Sequence, residues 1–178
     1  MKYILSVLCL ALFFSACSAA PASSLPESSS SITHTQIPEA PPEISIEASG
    51  AELPYQLRQE NWNGSISCGE DLIYLLVKKD GIAALPQLQP GENIVLTFPE
   101  EFAPDSLRVL AEPRGENGRP VPGEEFMANA DFIQDNNVYT ITLPEFAEST
   151  GVLTGFLVEA VWGENNAWYG FAAALPQE

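Results

Sequence analysis

Two pairs of adjacent acids, Glu100-Glu101 and Glu124-Glu125, are the residues whose type best fits them for chemistry. Two carboxylates flanking a sugar linkage are the working parts of a glycosidase, one as the acid and the other as nucleophile or base. Both pairs stand in proline-flanked sequence, however, where a solvated acidic loop is the ordinary outcome. The sole histidine, His34, lies in Ser/Pro-rich sequence, so from residue 43 onward no Ser-His-Asp, Cys-His or histidine-based zinc site can be assembled. There is no glycine-rich loop of the kind that cradles phosphate. The chain is therefore expected not to be an enzyme, with an acidic glycosidase as one alternative.

Binding chemistry has two sets of candidates. In "ANADFIQDNN", Asp131, Asp135, Asn136 and Asn137 group oxygen ligands that could take up calcium between strands, although their spacing is not that of an EF-hand loop. No other cofactor is expected. Trp62, Trp162, Trp168 and Tyr169 could supply a stacking platform for a glycan or peptide. Strand alternation puts Trp168 and Tyr169 on opposite faces, which leaves Trp62 and Trp168 as the surface candidates.

The N-terminus says where such a surface would work. The apolar run from Tyr3 to Ala16 is about 14 residues, short of the roughly 20 needed to span a bilayer core. With Lys2 ahead of it and Ser15-Ala16 behind, it has the three parts of an export signal. The next residue completes "FSAC", Phe14 to Cys17, which resembles the lipobox of bacterial lipoproteins, with Phe14 in place of the usual Leu. The resemblance implies a signal peptide over 1–16, a diacylglycerol thioether on Cys17, and Cys17 as the mature N-terminus. Two or three acyl chains hold firmly where one is marginal, at about 0.8 kcal/mol per buried methylene. The alternative is a cut after Ala16, Ala19 or Ala20 that releases a secreted protein.

Removing the signal takes away Lys2, one of the 7 basic residues, and none of the 24 acids, moving the formal charge from −17 to −18. Such a surface repels nucleic acid and anionic headgroups. The expected partners are the membrane, through the lipid, and an envelope protein, peptide or glycan. With Cys17 lipidated, Cys68 is the only thiol left, and it is expected to be buried as a small hydrophobe.

Residues 17–42 are dominated by Ser, Pro and Ala and read as a disordered tether. Residues 43–178 suffice for one domain with a sizeable core. Their rhythm is period two, the mark of half-buried strands. "PEISIEAS" alternates Ile44 and Ile46; "DSLRVLAEP" puts Leu107, Val109 and Ala111 on one face; "NVYTITLP" sets Tyr139, Ile141 and Leu143 opposite Val138, Thr140 and Thr142. "GVLTGFLVEAVW" and "AWYGFAAAL" flank "GENN", Gly163 to Asn166, as the arms of a hairpin. Only "SCGEDLIYLLVKK" departs, where Ser67 with Glu70 fits a capping box ahead of Leu72, Leu75 and Leu76 and predicts a short helix. The expected fold is all-β, an antiparallel sandwich.

The stretches "GENIVLTFPEEFAPDSLRVLA", "VYTITLPE" and "LTGFLVEAVWGENNAWYGFAAAL" resemble an Ig-like β-sandwich module. It is found in many small lipoproteins of Gram-positive bacteria and at the extracellular end of some transmembrane metallopeptidases of the β-lactam-sensor type. Ala160, Trp162, Tyr169 and Phe171 match the closing strands of that module, and Trp62 with Cys68 an upstream feature. The resemblance implies a fold and a location and carries over no catalytic residue. The expectation is a lipid-anchored, extracytoplasmic accessory module that binds or senses a ligand. The main alternative is a structural or surface-released module without one.

Overall fold

The computed structural model describes residues 37–124, 127–146 and 149–176. Cys17, the signal segment, His34 and Glu125 lie outside the described residues. Among the described residues eleven strands follow one another in the order β1 Ser45–Ala48, β2 Ala51–Glu52, β3 Tyr55–Trp62, β4 Ser65–Ile66, β5 Asn93–Thr97, β6 Ser106–Arg114, β7 Ala128–Asn129, β8 Phe132–Asp135, β9 Val138–Thr142, β10 Leu153–Trp162 and β11 Asn165–Ala174. An α-helix, α1, spans Leu72–Asp80 between β4 and β5. The strands form a five-stranded sheet, β2-β1-β5-β9-β8, and a six-stranded sheet, β4-β3-β11-β10-β6-β7. Every ladder is antiparallel, and the two sheets pack face to face as the all-β sandwich that the alternation predicts.

Alternation decides which side chains enter the core. In β10 and β11 the facing pairs Phe156↔Phe171, Val158↔Tyr169 and Ala160↔Ala167 all point inward and are fully buried. Phe156 stacks on Phe171 with ring centres 4.9 Å apart. From the other sheet come Ile46, Ile94, Leu96, Phe98, Tyr139 and Ile141. Phe98 meets Tyr139, Tyr169 and Trp162 edge-on at 5.6 to 5.9 Å, the arrangement that ring quadrupoles prefer.

Tight turns hold this register. Trp162 pairs with Asn165, so the hairpin loop is Gly163-Glu164 alone, and Asn165 and Asn166 belong to β11 rather than to the predicted loop. Gly163 has φ 60°, the positive value that the first residue of such a turn requires. Asn63-Gly64 closes the β3–β4 hairpin with both φ positive, the turn that an Asn-Gly pair favours from local sequence alone.

α1 lies on the outer face of the six-stranded sheet, so there is a second core. Ile73, Leu76 and Val77 pack on Leu153, Ala172, Ala174 and Leu85. Small residues make the seat: a Cβ at Gly170 would collide with Leu72, and one at Gly155 would come within 3.1 Å of the Arg114 side chain and 3.2 Å of Ile73. The helix is not started by a Ser67–Glu70 capping box. Its cap is Asp71, whose Oδ1 accepts from the N–H groups of Ile73 and Tyr74 at 2.9 and 3.0 Å. Ser67 instead extends the β3–β4 pairing, its N–H donating to the Glu60 carbonyl at 2.9 Å.

Two further expectations are corrected. The tether does not run to residue 42, because Pro38, Pro41 and Pro42 are buried against the sandwich. Prolines lose little entropy on ordering, and nearby carbonyls are used: the Trp62 indole N–H donates to the Glu39 carbonyl at 2.9 Å, and the Tyr169 hydroxyl to that of Pro42 at 2.7 Å. Cys68 is exposed, not buried. It sits in the connection between β4 and α1, where no core lies within reach.

Candidate functional site

Because facing residues on paired antiparallel strands share a face, four outward side chains line up across the six-stranded sheet. Arg108 of β6 faces Glu159 of β10, Glu159 faces Trp168 of β11, and Trp168 faces Arg58 of β3. The Arg108 guanidinium donates through Nε and Nη2 to Glu159 Oε2 at 2.9 and 2.6 Å and lies 5.5 Å from the centre of the Trp168 ring. Glu159 Oε1 accepts from the Asn166 side chain at 3.1 Å. At the other end, Arg58 donates to Glu60 at 3.1 Å and to the Gly69 and Glu70 carbonyls. Exposed pairs of this kind stabilise by at most about 1 kcal/mol. What the row does is hold an aromatic face, two forked cations and a carboxylate in fixed order on a flat surface.

α1 covers only part of that outer face. Gly170, Ala172 and Ala174, on the same side of β11 as Trp168, lie under it, whereas Trp168 stays half-exposed beyond its N-terminal end. Trp62, the other expected platform member, is core. A β-bulge is the reason: Ala167 pairs with Gln59 but Asn166 pairs with Asn61, so Glu60 is the extra residue and every side chain after it changes face. Trp62 thereby turns inward and meets Trp162 edge-on at 5.4 Å.

A second charged cluster is buried beneath the N-terminus of α1. The fully buried Arg114 donates through Nη1 to Asp71 Oδ2 at 2.5 Å and to the Gly118 carbonyl at 2.8 Å, and through Nη2 to Glu112. Burial pushes the Glu112 carboxyl above its ordinary range, with the Arg114 charge opposing that shift. The cluster clamps helix to sheet and shapes no open site.

The paired acids do not converge. Glu100 and Glu101 form an exposed 3₁₀ turn ahead of the Ser106 end of β6. Glu124 sits near the Arg114 end, accepting from the Ser149 hydroxyl at 2.5 Å and from the Thr150 N–H at 3.2 Å. These bonds hold its carboxyl below the usual carboxylate range, the opposite of what a general acid requires. Nine residues of extended strand, about 30 Å, lie between the two acidic segments, against the roughly 5 to 9.5 Å between glycosidase carboxylates.

The oxygen ligands are separated too. Asp131 precedes β8, Asp135 is its last residue, and Asn136 and Asn137 make the turn that follows it. A four-residue strand places them about 13 Å apart. Asn137 is already used, its amide donating to the Phe98 carbonyl at 2.5 Å. Among the described residues, no group of three or more His, Cys, Asp or Glu side chains gathers to hold a metal ion.

Compared with protein-family models, curated proteins and solved structures, the chain matches none. Among the described residues, no helix is long and apolar enough to cross a membrane. Sequence reasoning identified Trp168 but missed Arg58, Arg108 and Glu159. Their positions in outward-facing phase on flanking strands were available, but the pairing that brings them together was not.

Proposed function

We propose that this chain is a lipid-anchored module on the extracytoplasmic side of the cell membrane that binds or senses an envelope ligand without chemical turnover. The anchoring half of the reading is supported by "FSAC" at Cys17 and by the Ser/Pro-rich segment that follows. The binding half is carried by one observation, the Arg58–Trp168–Glu159–Arg108 row on the part of the sheet that α1 leaves open. Tryptophan and arginine are the side chains that dominate recognition energetics, and held in a row they stack on and hydrogen-bond to a peptide or glycan at little entropic cost.

Site-specific photo-cross-linking in intact envelopes tests this. A photoreactive side chain at Arg108, beside Trp168, should give discrete adducts, while one at Thr140, on the outer face of the five-stranded sheet, should not. Adducts from Arg108 should fall at least tenfold when Trp168 is also changed to Ala. No adducts from either position, or equal adducts from both, would leave a structural or released module as the better description.

A further inference from the structure

We infer that the exposed side of α1 is the face that the anchored domain lays on anionic phospholipid headgroups; this rests on the lipid-anchor reading above. The chain is strongly acidic, and three of the six cations among the described residues are committed. Arg58, Arg108 and Arg114 are paired with carboxylates. Among the described residues, Lys78, Lys79 and Arg119 have no carboxylate partner, and all three are exposed. They also gather in one place. Lys78 Nζ lies 5.5 Å and Arg119 Cζ 4.2 Å from the centre of the Tyr74 ring, so the two charges are within about 10 Å, a screening length in physiological salt, and act together. Glu116, in the turn that carries Arg119, lines a separate groove with Val152 and Leu175. Asp80 and Glu52 lie beside Lys79 over another cleft, which puts Lys79 at the margin of the patch and Tyr74, Lys78 and Arg119 at its centre.

A tyrosine flanked by lysine and arginine suits the headgroup layer, where an aromatic body and a charged tip are both satisfied. Each cation near an anionic leaflet favours contact by roughly fivefold, so two or three give about 25- to 125-fold. That is too little to recruit a free domain against the repulsion of its other faces. It is enough to orient a domain already held close. On the tether reading of the Ser/Pro-rich sequence, a flexible chain of about 20 residues would span about 25 Å, which would make contact intramolecular with the association cost already met. Acidic surfaces elsewhere are pushed away from the leaflet, which leaves α1 as the face that settles.

Lys78 and Lys79 are the only lysines beyond Lys2, so amine labelling reads this face directly. The chain from Cys17 onward, carrying Cys68→Ser, is coupled through Cys17 to a maleimide phospholipid in vesicles of phosphatidylcholine alone or with roughly one-third phosphatidylglycerol. Acetylation of Lys78 and Lys79, read by mass spectrometry, should slow by about tenfold or more on the anionic vesicles, recover in high salt, and lose about fivefold of its protection in Arg119→Gln. Equal rates on the two vesicles overturn the inference and point to an acidic protein as the partner of the patch. Protection by soluble glycerophosphate without anionic lipid overturns it in favour of a free-phosphate site. Because coupling supplies the anchor chemically, finding Cys17 unmodified in cells would defeat the anchor reading while leaving this measurement intact.

Discussion

Asp71 divides its carboxylate between a helix and a sheet. Oδ1 caps α1 by accepting from Ile73 and Tyr74, and Oδ2 accepts from Arg114 Nη1 at 2.5 Å, 43 residues away in the chain. One side chain thus sets where the helix begins and which strand it is fastened to. Asp71→Ala should destabilise the domain by about 2 to 4 kcal/mol, since it removes a cap and leaves a buried guanidinium short of a partner. Asp71→Asn keeps a capping oxygen and should lose about 1 kcal/mol less. Urea unfolding followed by circular dichroism measures both; equal losses would mean that the cap contributes nothing.

Core and surface aromatics should separate cleanly by the same method. Phe171→Ala opens a cavity beside Phe156 and should cost about 3 to 5 kcal/mol, as should Trp62→Ala. Trp168→Ala gives up a half-exposed ring and one contact with Arg108, and should cost about 1 kcal/mol or less. A larger loss for Trp168→Ala than for Trp62→Ala would refute the face assignment.

Gly170 is required for contact between α1 and the sheet, because any Cβ there meets Leu72. Gly170→Ala should destabilise by about 1 to 3 kcal/mol through overpacking. It should also raise protease cutting around Leu72–Asp80. Adding Leu72→Ala should recover part of the stability; if the double variant is worse than the sum of the singles, the collision is not the cause.

Acid should weaken the fold through Glu92 and Glu124. Glu92 is held below its ordinary range by the Gln89 N–H and the Ser49 hydroxyl, and Glu124 by the Ser149 hydroxyl and the Thr150 N–H. A carboxyl lowered in the folded state contributes stability above its unfolded pKa, near 4.5, and loses it as pH falls through the folded value. Glu112, raised by burial, has the opposite sign, its penalty growing as pH rises through its folded value. Glu92→Gln with Glu124→Gln should therefore flatten the fall of stability below about pH 4.5. An unchanged slope of midpoint urea concentration against pH would count against both hydrogen bonds.

The anchor is tested by partition. Protein from cells should enter the detergent phase of Triton X-114 and carry diacylglycerol on a peptide beginning at Cys17. Cys17→Ala should remain unprocessed or move to the aqueous phase. Wild-type protein that is wholly aqueous and begins at Ser18 or later would exclude lipidation.

Local chemistry alone was enough for the class of fold and for most of its core. Alternation depends on neighbours two residues apart, and so Ile44 and Ile46, Tyr139 and Ile141, and Phe156, Val158 and Ala160 could be assigned inward before any pairing was known. The helix was also legible, because the apolar spacing of Leu72 and Leu76 is local. Tertiary structure decided the rest. The bulge at Glu60 reverses the phase of β3 and sends Trp62 into the core, and it exists only as a mismatch against Asn166 and Ala167, more than 100 residues later. The cap is Asp71 rather than Ser67 because Ser67 is taken up by the β3–β4 pairing, its N–H bonded to the Glu60 carbonyl, and Asp71 is tied by its second oxygen to Arg114 of a distant strand. The row of Arg58, Trp168, Glu159 and Arg108 comes from four strands whose order, β3-β11-β10-β6, no short-range periodicity encodes. A period tells a residue which face it takes; only the closure of long loops tells it which neighbours share that face.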